Sequence, residues 1–252
     1  MRKAFGKDEL EAMFKKIGKM LEKPIEVFLL GGGAMCFRNQ KTATKDLDLV
    51  FENASTFIAF FATIEKIGFK REKNLESEYE KMMAAGVWKD KDDFRFDLFV
   101  KTVCNALELN EGIVKRSEKL GDYGKLTVRM VSNEDVVLFK GITERPSDAD
   151  DIAAVVVASG FLPENWDIIF DECKLQSKKR AWYGLLYNKL IEIKEKHGID
   201  APIIRRLQEL DNNILLKEAY ELRTGKGLGK ADAIKELVKM GFTRKQIENA
   251  IK

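Results

Sequence analysis

Apolar residues recur along this chain with two periods, and the change from one to the other divides it. Leu10, Met13, Phe14, Ile17 and Leu21 fall at helical spacing between Asp8 and Glu22. Pro24 ends that helix, and Ile25–Leu30 reads as a short apolar strand running into three glycines. A helix is expected from Ala34 to about Asn39, a strand over Asp46–Phe51, and a long apolar helix over Ser55–Ile67. Strands follow at Tyr79–Met83, Phe94–Val100 and Leu126–Val131. From Ser132 onward the helical period takes over. Ser132-Asn133-Glu134-Asp135 has the form of a capping box ahead of Val136–Ile142, and Pro146 suits the start of a helix over Asp148–Ser159. Further helices are expected at about 164–176, 180–196, 202–211, 213–224, 231–240 and 244–251. The fold class is therefore α/β (α+β), a small mixed sheet flanked by helices with an all-helical C-terminal region. The corresponding division is 1–160, 161–228 and 229–252, with the loosest point at Thr224–Gly229.

Composition narrows the chemistry. With 45% hydrophobic and 34% charged residues over 252 positions, a soluble protein with a proper core is expected. No apolar run approaches the ~20 residues of a membrane span, and the charged start lacks a signal peptide's apolar core, so no membrane association and a cytoplasmic location are expected. Cys36, Cys104 and Cys173 are widely spaced and odd in number, which suits reduced thiols. A single histidine, His197, argues against histidine-built zinc sites and Ser-His-Asp catalysis, leaving carboxylates as the main resource. The abundance of Lys and Glu suits a thermophile. Charge is unevenly spread: residues 178–252 hold 17 Lys/Arg against 10 Asp/Glu, a net of +7, whereas residues 1–177 carry −4. The basic region is either a set of solvated helix faces or a surface for RNA or a partner protein.

The stretch LLGGGAMCFRNQKTATKDLDLVF concentrates the candidate chemistry. Alternate residues of a strand share a face, so Asp46 and Asp48 project together while Leu47 and Leu49 project into the opposite layer. Two adjacent carboxylates repel unless one is protonated or a divalent cation joins them, and hard oxygen donors suit Mg²⁺. The alternative is a strand end emerging into water. Gly31–Gly33 sit where backbone N–H groups can approach a phosphate without a Cβ in the way, or form a tight turn. Asp97, inside a strongly apolar strand, needs an Arg, a backbone amide or a metal, and Arg95 shares its face.

A Gly-Gly turn, an Asp-x-Asp about 15 residues later and a third Asp on a later strand resemble the polymerase-beta-like nucleotidyltransferase superfamily. The minimal prokaryotic members found in abortive-infection and toxin–antitoxin pairs have a Gly-Gly-x-Ala turn and a Thr-x-Asp-[Ile/Leu]-Asp strand. Gly31-Gly32-Gly33-Ala34 and Thr44-Lys45-Asp46-Leu47-Asp48 match these here. A helix lysine followed by Arg-x-x-Asp-x-x-Asp is matched by Lys140, Arg145, Asp148 and Asp151, and the resemblance covers roughly residues 25–160. It implies a nucleotidyltransferase fold and a metal-dependent enzyme that moves an NMP from an NTP to an acceptor hydroxyl of RNA, a protein or a small molecule. The resemblance assigns Mg²⁺ (or Mn²⁺) to Asp46, Asp48 and Asp97, with Asp97 also placed to take the acceptor's proton. It assigns the nucleotide, ATP or another NTP, to Gly31, Gly32, Gly33, Thr44, Lys45 and Lys140. Arg95, Arg145, Asp148 and Asp151 would support the site; Asp148 and Asp151 would pair with Lys140 or Arg145, or cap their helix. The alternative is a member of this fold that has lost turnover and serves as a nucleotide-binding or partner-docking protein. Many superfamily members place a serine after the first glycine or two, whereas Gly32 and Gly33 offer only backbone.

Other features read as structural. Phe57, Phe60 and Phe61 are expected in the core, the alternative being a base-stacking platform, and Trp166, Trp182 and Tyr183 are expected to pack between helices, the alternative being the border of an acceptor groove. His197 sits beside Gly198 at a helix end, the place for a C-terminal charge partner. The segment from Ala233 to Ile251 resembles the small ubiquitin-associated-type helical modules through its helix, Met-Gly-Phe turn and helix, and Thr243 and Gln246 form a capping box.

Overall fold

A computed structural model describes residues 3–72, 85–103, 106–143, 145–177 and 182–251. The strand expected over Tyr79–Met83, Cys104 and the first two residues of the helix expected over 180–196 lie outside these. The chain divides into two compact units, Met1–Lys140 with Asp150–Phe161, and Gly141–Ala149 with Leu162–Lys252.

The first unit is built on a mixed sheet. Among the described residues it contains seven strands in the order β3-β4-β5-β2-β1-β9-β8. These are β1 (Ile25–Leu29), β2 (Asp46–Phe51), β3 (Lys70–Arg71), β4 (Gly86–Lys89), β5 (Arg95–Val100), β8 (Glu118–Tyr123) and β9 (Leu126–Met130). A separate hairpin pairs β6 (Thr102–Val103) with β7 (Leu107–Glu108). At the centre, β2 runs parallel to β5 and antiparallel to β1, and β1 runs parallel to β9. Register sorts the side chains into two faces. Leu29, Leu49 and Leu98 align on one face, as do Val27 and Val128, all fully buried. Helices α1 (Lys7–Met20) and α3 (Ala54–Lys66) pack on the sheet, bringing Leu10, Phe14, Ile17, Phe60 and Ile64 into the core. Phe57, Phe60 and Phe61 join an aromatic cluster with Phe51 and Trp88 at ring separations of 5.1–6.0 Å. The opposite face carries Asp46, Asp48, Arg95 and Asp97.

Local chemistry explains most element ends. Asn53 caps α3 by accepting from Thr56 N–H at 3.0 Å. Ser132 accepts from Asp135 N–H at 3.2 Å at the start of α5 (Asn133–Gly141). The helix α6 (Asp148–Ser159) has the expected bounds. Strands β3, β4 and β8, the hairpin and α4 (Glu111–Arg116) had no clear periodic signal, because they are two to six residues long and β8 is mostly polar. Helix α2 (Gly31–Phe37) begins at Gly31, not Ala34. Intrinsic propensity disfavours glycine in a helix, but packing overrides it: a Cβ on Gly33 would come within 2.6 Å of Leu47 Cδ2 and 2.7 Å of Leu29 Cδ1.

The second unit is helical, with α7 (Pro163–Gln176), α8 (Tyr183–His197), α9 (Ile204–Gly225), α10 (Lys230–Lys239) and α11 (Arg244–Ala250). Trp166, Trp182, Tyr183 and Cys173 are buried in it. The two helices expected at 202–211 and 213–224 are one. Asp211-Asn212-Asn213 is a weak helix former, but Leu207 and Leu216 are buried on either side of it and the Asp211 carboxylate packs against Gly184. The end of α9 packs with α10 and α11 around Leu216, Leu237 and Ile247, with Tyr220, Ile234 and Phe242 alongside. The Thr243–Gln246 capping box forms. Among the described residues no helix is long and apolar enough to cross a membrane.

Candidate active site

The parallel register of β2 and β5 places Asp46 opposite Arg95 and Asp48 opposite Asp97. Because Asp46 and Asp48 are two apart, all three carboxylates and the arginine share one sheet face. Arg95 and Asp97 are each only 1% exposed, while the Asp46 side chain is 29% exposed. Arg95 Nη2 donates to Asp97 Oδ2 at 2.8 Å and to Asp46 Oδ2 at 2.9 Å. Its Nε meets Asp97 Oδ1 at 2.7 Å as a close ion contact without the alignment of a hydrogen bond. Burial, then the neighbouring Asp48 charge, pushes the Asp97 carboxyl up to about 8, against the pull of Arg95.

The glycines fit tightly against this cluster. Gly31 turns the chain from β1 into α2 at φ +53, a conformation open to glycine. A Cβ there would lie 2.4 Å from Asp48 Oδ2, so only glycine lets the backbone approach that carboxylate. A Cβ on Gly32 would lie 2.7 Å from Thr44 Oγ1. Thr44 Oγ1 donates to the Asp46 carbonyl at 3.0 Å, and the Thr44 backbone is clipped to Phe5. Gly33 points into the core. Lys45 is exposed just ahead of β2.

A second cluster forms around Asp151. Lys140 Nζ donates to Asp151 Oδ2 at 2.8 Å, and Lys41 Nζ lies 3.0 Å from Oδ1 and 3.2 Å from Oδ2. Burial pushes the Asp151 carboxyl up, but the Lys140 and Lys41 charges and hydrogen bonds outweigh it and hold it below its ordinary value. Asp148, three residues earlier, serves a different partner set. It accepts from Thr143 and sits 3.5 Å from Arg145 Nε. Lys41 was missed in the sequence because a lone lysine in a polar loop has no periodic or motif signal.

Chemically, the first cluster sets three carboxylates about one guanidinium. Such crowding is what a divalent cation relieves, and hard carboxylate oxygens are the donors Mg²⁺ prefers. The Asp97 oxygen without an aligned hydrogen bond fits that reading. Among the described residues no three His, Cys, Asp or Glu side chains form a ready-made metal cage, since Arg95 stands between Asp46 and Asp97.

Comparison with known proteins gives a family. A family model described as a nucleotidyltransferase of unknown function (DUF6036) matches residues 8–197. A crystal structure from H. pylori, named there as a candidate nucleotidyltransferase, aligns with 82% of this chain and 99% of its own, at 13% identity and a TM-score of 0.38. No curated protein matches the chain.

Proposed function

The chain belongs to this nucleotidyltransferase family, and from that premise we propose that it moves a nucleotidyl group from an NTP to an acceptor hydroxyl, as polymerase-beta-like enzymes do. The observation that carries the reading is the register that sets Asp48 beside Asp97, with Asp46 on the same face and Gly31 pressed against Asp48. Asp46, Asp48 and Asp97 would hold Mg²⁺ or Mn²⁺. When bound, the ion supplies Lewis-acid stabilisation of charge on the phosphates and the attacking oxygen.

The chain's own groups do the rest. The acceptor oxygen bonds to the α-phosphorus, the bond to pyrophosphate breaks, and the hydroxyl proton passes to Asp97 in its ionised form. Gly31 and Gly32 present backbone to the phosphates at the start of α2, while Gly33 fixes that helix to the sheet. Arg95 holds Asp46 and Asp97 in place, so little reorganisation remains for the reaction. The +7 charge of residues 178–252 supports an anionic acceptor such as RNA.

Calorimetric titration of ATP, GTP, CTP and UTP, with and without Mg²⁺, on the wild type and Asp48→Ala tests the reading. Mg²⁺-dependent binding that disappears in the variant is expected. Binding indifferent to Asp48, or no binding of any NTP, overturns the enzyme while leaving the fold intact.

A further inference from the structure

The loop from α2 to β2 carries a cation held in an unusual way. Asp151 is divided between two ammonium groups, Lys140 and Lys41. The Lys140 side chain is 10% exposed and that of Asp151 16%, whereas Lys41 is 37% exposed. Lys140 is thus the inner partner and Lys41 the outer one, a flexible point charge on the solvent side.

Chain connectivity bounds where Lys41 sits. Thr44, three residues on, lies against Gly32, and three residues span at most about 11 Å. Cys36, five residues beyond Gly31 and so about 7.5 Å along α2, feels the charges of both Lys41 and Asp151. Lys41 and Asp151 therefore lie near the C-terminal end of the seven-residue helix whose first glycines adjoin the carboxylates.

We propose that Lys41 is a phosphate-binding residue of the nucleotide site, parked on Asp151 and transferred to the terminal phosphates of an NTP. The inference rests on the nucleotidyl-transfer reading for the identity of its ligand. A polyphosphate offers more negative charge than a carboxylate already shared with Lys140. When Lys41 leaves, Asp151 still holds Lys140.

The test is calorimetry on the full chain with Mg²⁺ and, in turn, ATP, ADP, AMP and inorganic tripolyphosphate, using the wild type, Lys41→Ala, Lys41→Arg and Asp48→Ala. Loss of a charge-assisted contact predicts that Lys41→Ala weakens ATP and tripolyphosphate by about tenfold or more, leaves AMP within about twofold, and is largely rescued by Lys41→Arg. Equal weakening of ATP and AMP, or a lowered melting temperature with unchanged ATP binding, makes Lys41 a structural clamp and overturns the proposal. If Asp48→Ala abolishes Mg²⁺-dependent ATP binding and Lys41→Ala does not weaken it, the transfer reading stands and Lys41 falls. If only Lys41→Ala acts, in proportion to phosphate number, the phosphate site stands and the transfer reading falls. A wild type that binds neither ATP nor tripolyphosphate overturns both.

Discussion

The two charged clusters of the first unit invert each other. On the sheet face one guanidinium, Arg95, serves Asp46 and Asp97 with Asp48 adjacent; beside α2 one carboxylate, Asp151, serves Lys41 and Lys140. Under the proposed nucleotidyl transfer, a cation would meet the first cluster and a phosphate the second. The clusters also differ in burial. Arg95 and Asp97 are sealed at 1% exposure, while Lys41 meets water. The first is a sealed scaffold and the second has a partly exposed outer member.

Substitution separates them, beginning with the largest effect. Arg95→Ala removes the hydrogen bonds to Asp46 and to the fully buried Asp97, and is expected to cost about 3 kcal/mol in urea unfolding. A loss under about 1 kcal/mol would mean that the arginine is not the scaffold's keystone. The same cluster sets a pH dependence. Because the Asp97 carboxyl is raised from 3.8 to about 8, its contribution to stability is complete below 3.8 and is lost as pH rises through about 8. Asp97→Asn removes that slope, so the urea midpoint of the wild type should fall relative to the variant as pH increases across this window. Parallel curves would show that Arg95 keeps Asp97 ionised throughout.

The glycines give a finer test. Gly33→Ala inserts a methyl between Leu47 and Leu29 and should cost about 1–3 kcal/mol. ATP binding by the folded fraction should be unchanged. Gly31→Ala should cost about 1–2 kcal/mol for its left-handed backbone and also weaken Mg²⁺-dependent ATP binding, because its methyl would displace the Asp48 carboxylate. Equal binding by the two variants would remove Gly31 from the site. The smallest effect belongs to the second cluster. Its outer ion pair is partly exposed, so Lys41→Ala should cost at most about 1 kcal/mol in the same urea assay.

Much of this arrangement was legible in the chain. The alternation of Asp46, Leu47, Asp48 and Leu49 fixes which residues share a face, because the strand period is two whatever surrounds it. The apolar run around Asp97 announced a buried carboxylate needing a partner, and Arg95, two residues away, was the nearest candidate on its face. The long amphipathic helices and the Ser132 and Thr243 caps followed from spacing and side-chain chemistry that operate within a few residues. Long-range contacts set the rest. The start of α2 at Gly31 depends on Leu29 and Leu47 closing around Gly33, and the unbroken course of α9 depends on Leu207, Leu216 and the Asp211–Gly184 contact. The pairing of Asp48 with Asp97, 49 positions apart, required β2 and β5 to lie side by side in parallel register. Lys41 and Asp151 are 110 residues apart. Periodicity and capping act through neighbours along the chain and can be read from the sequence, whereas charge pairing acts through neighbours in space, which only the folded sheet and its helices brought together.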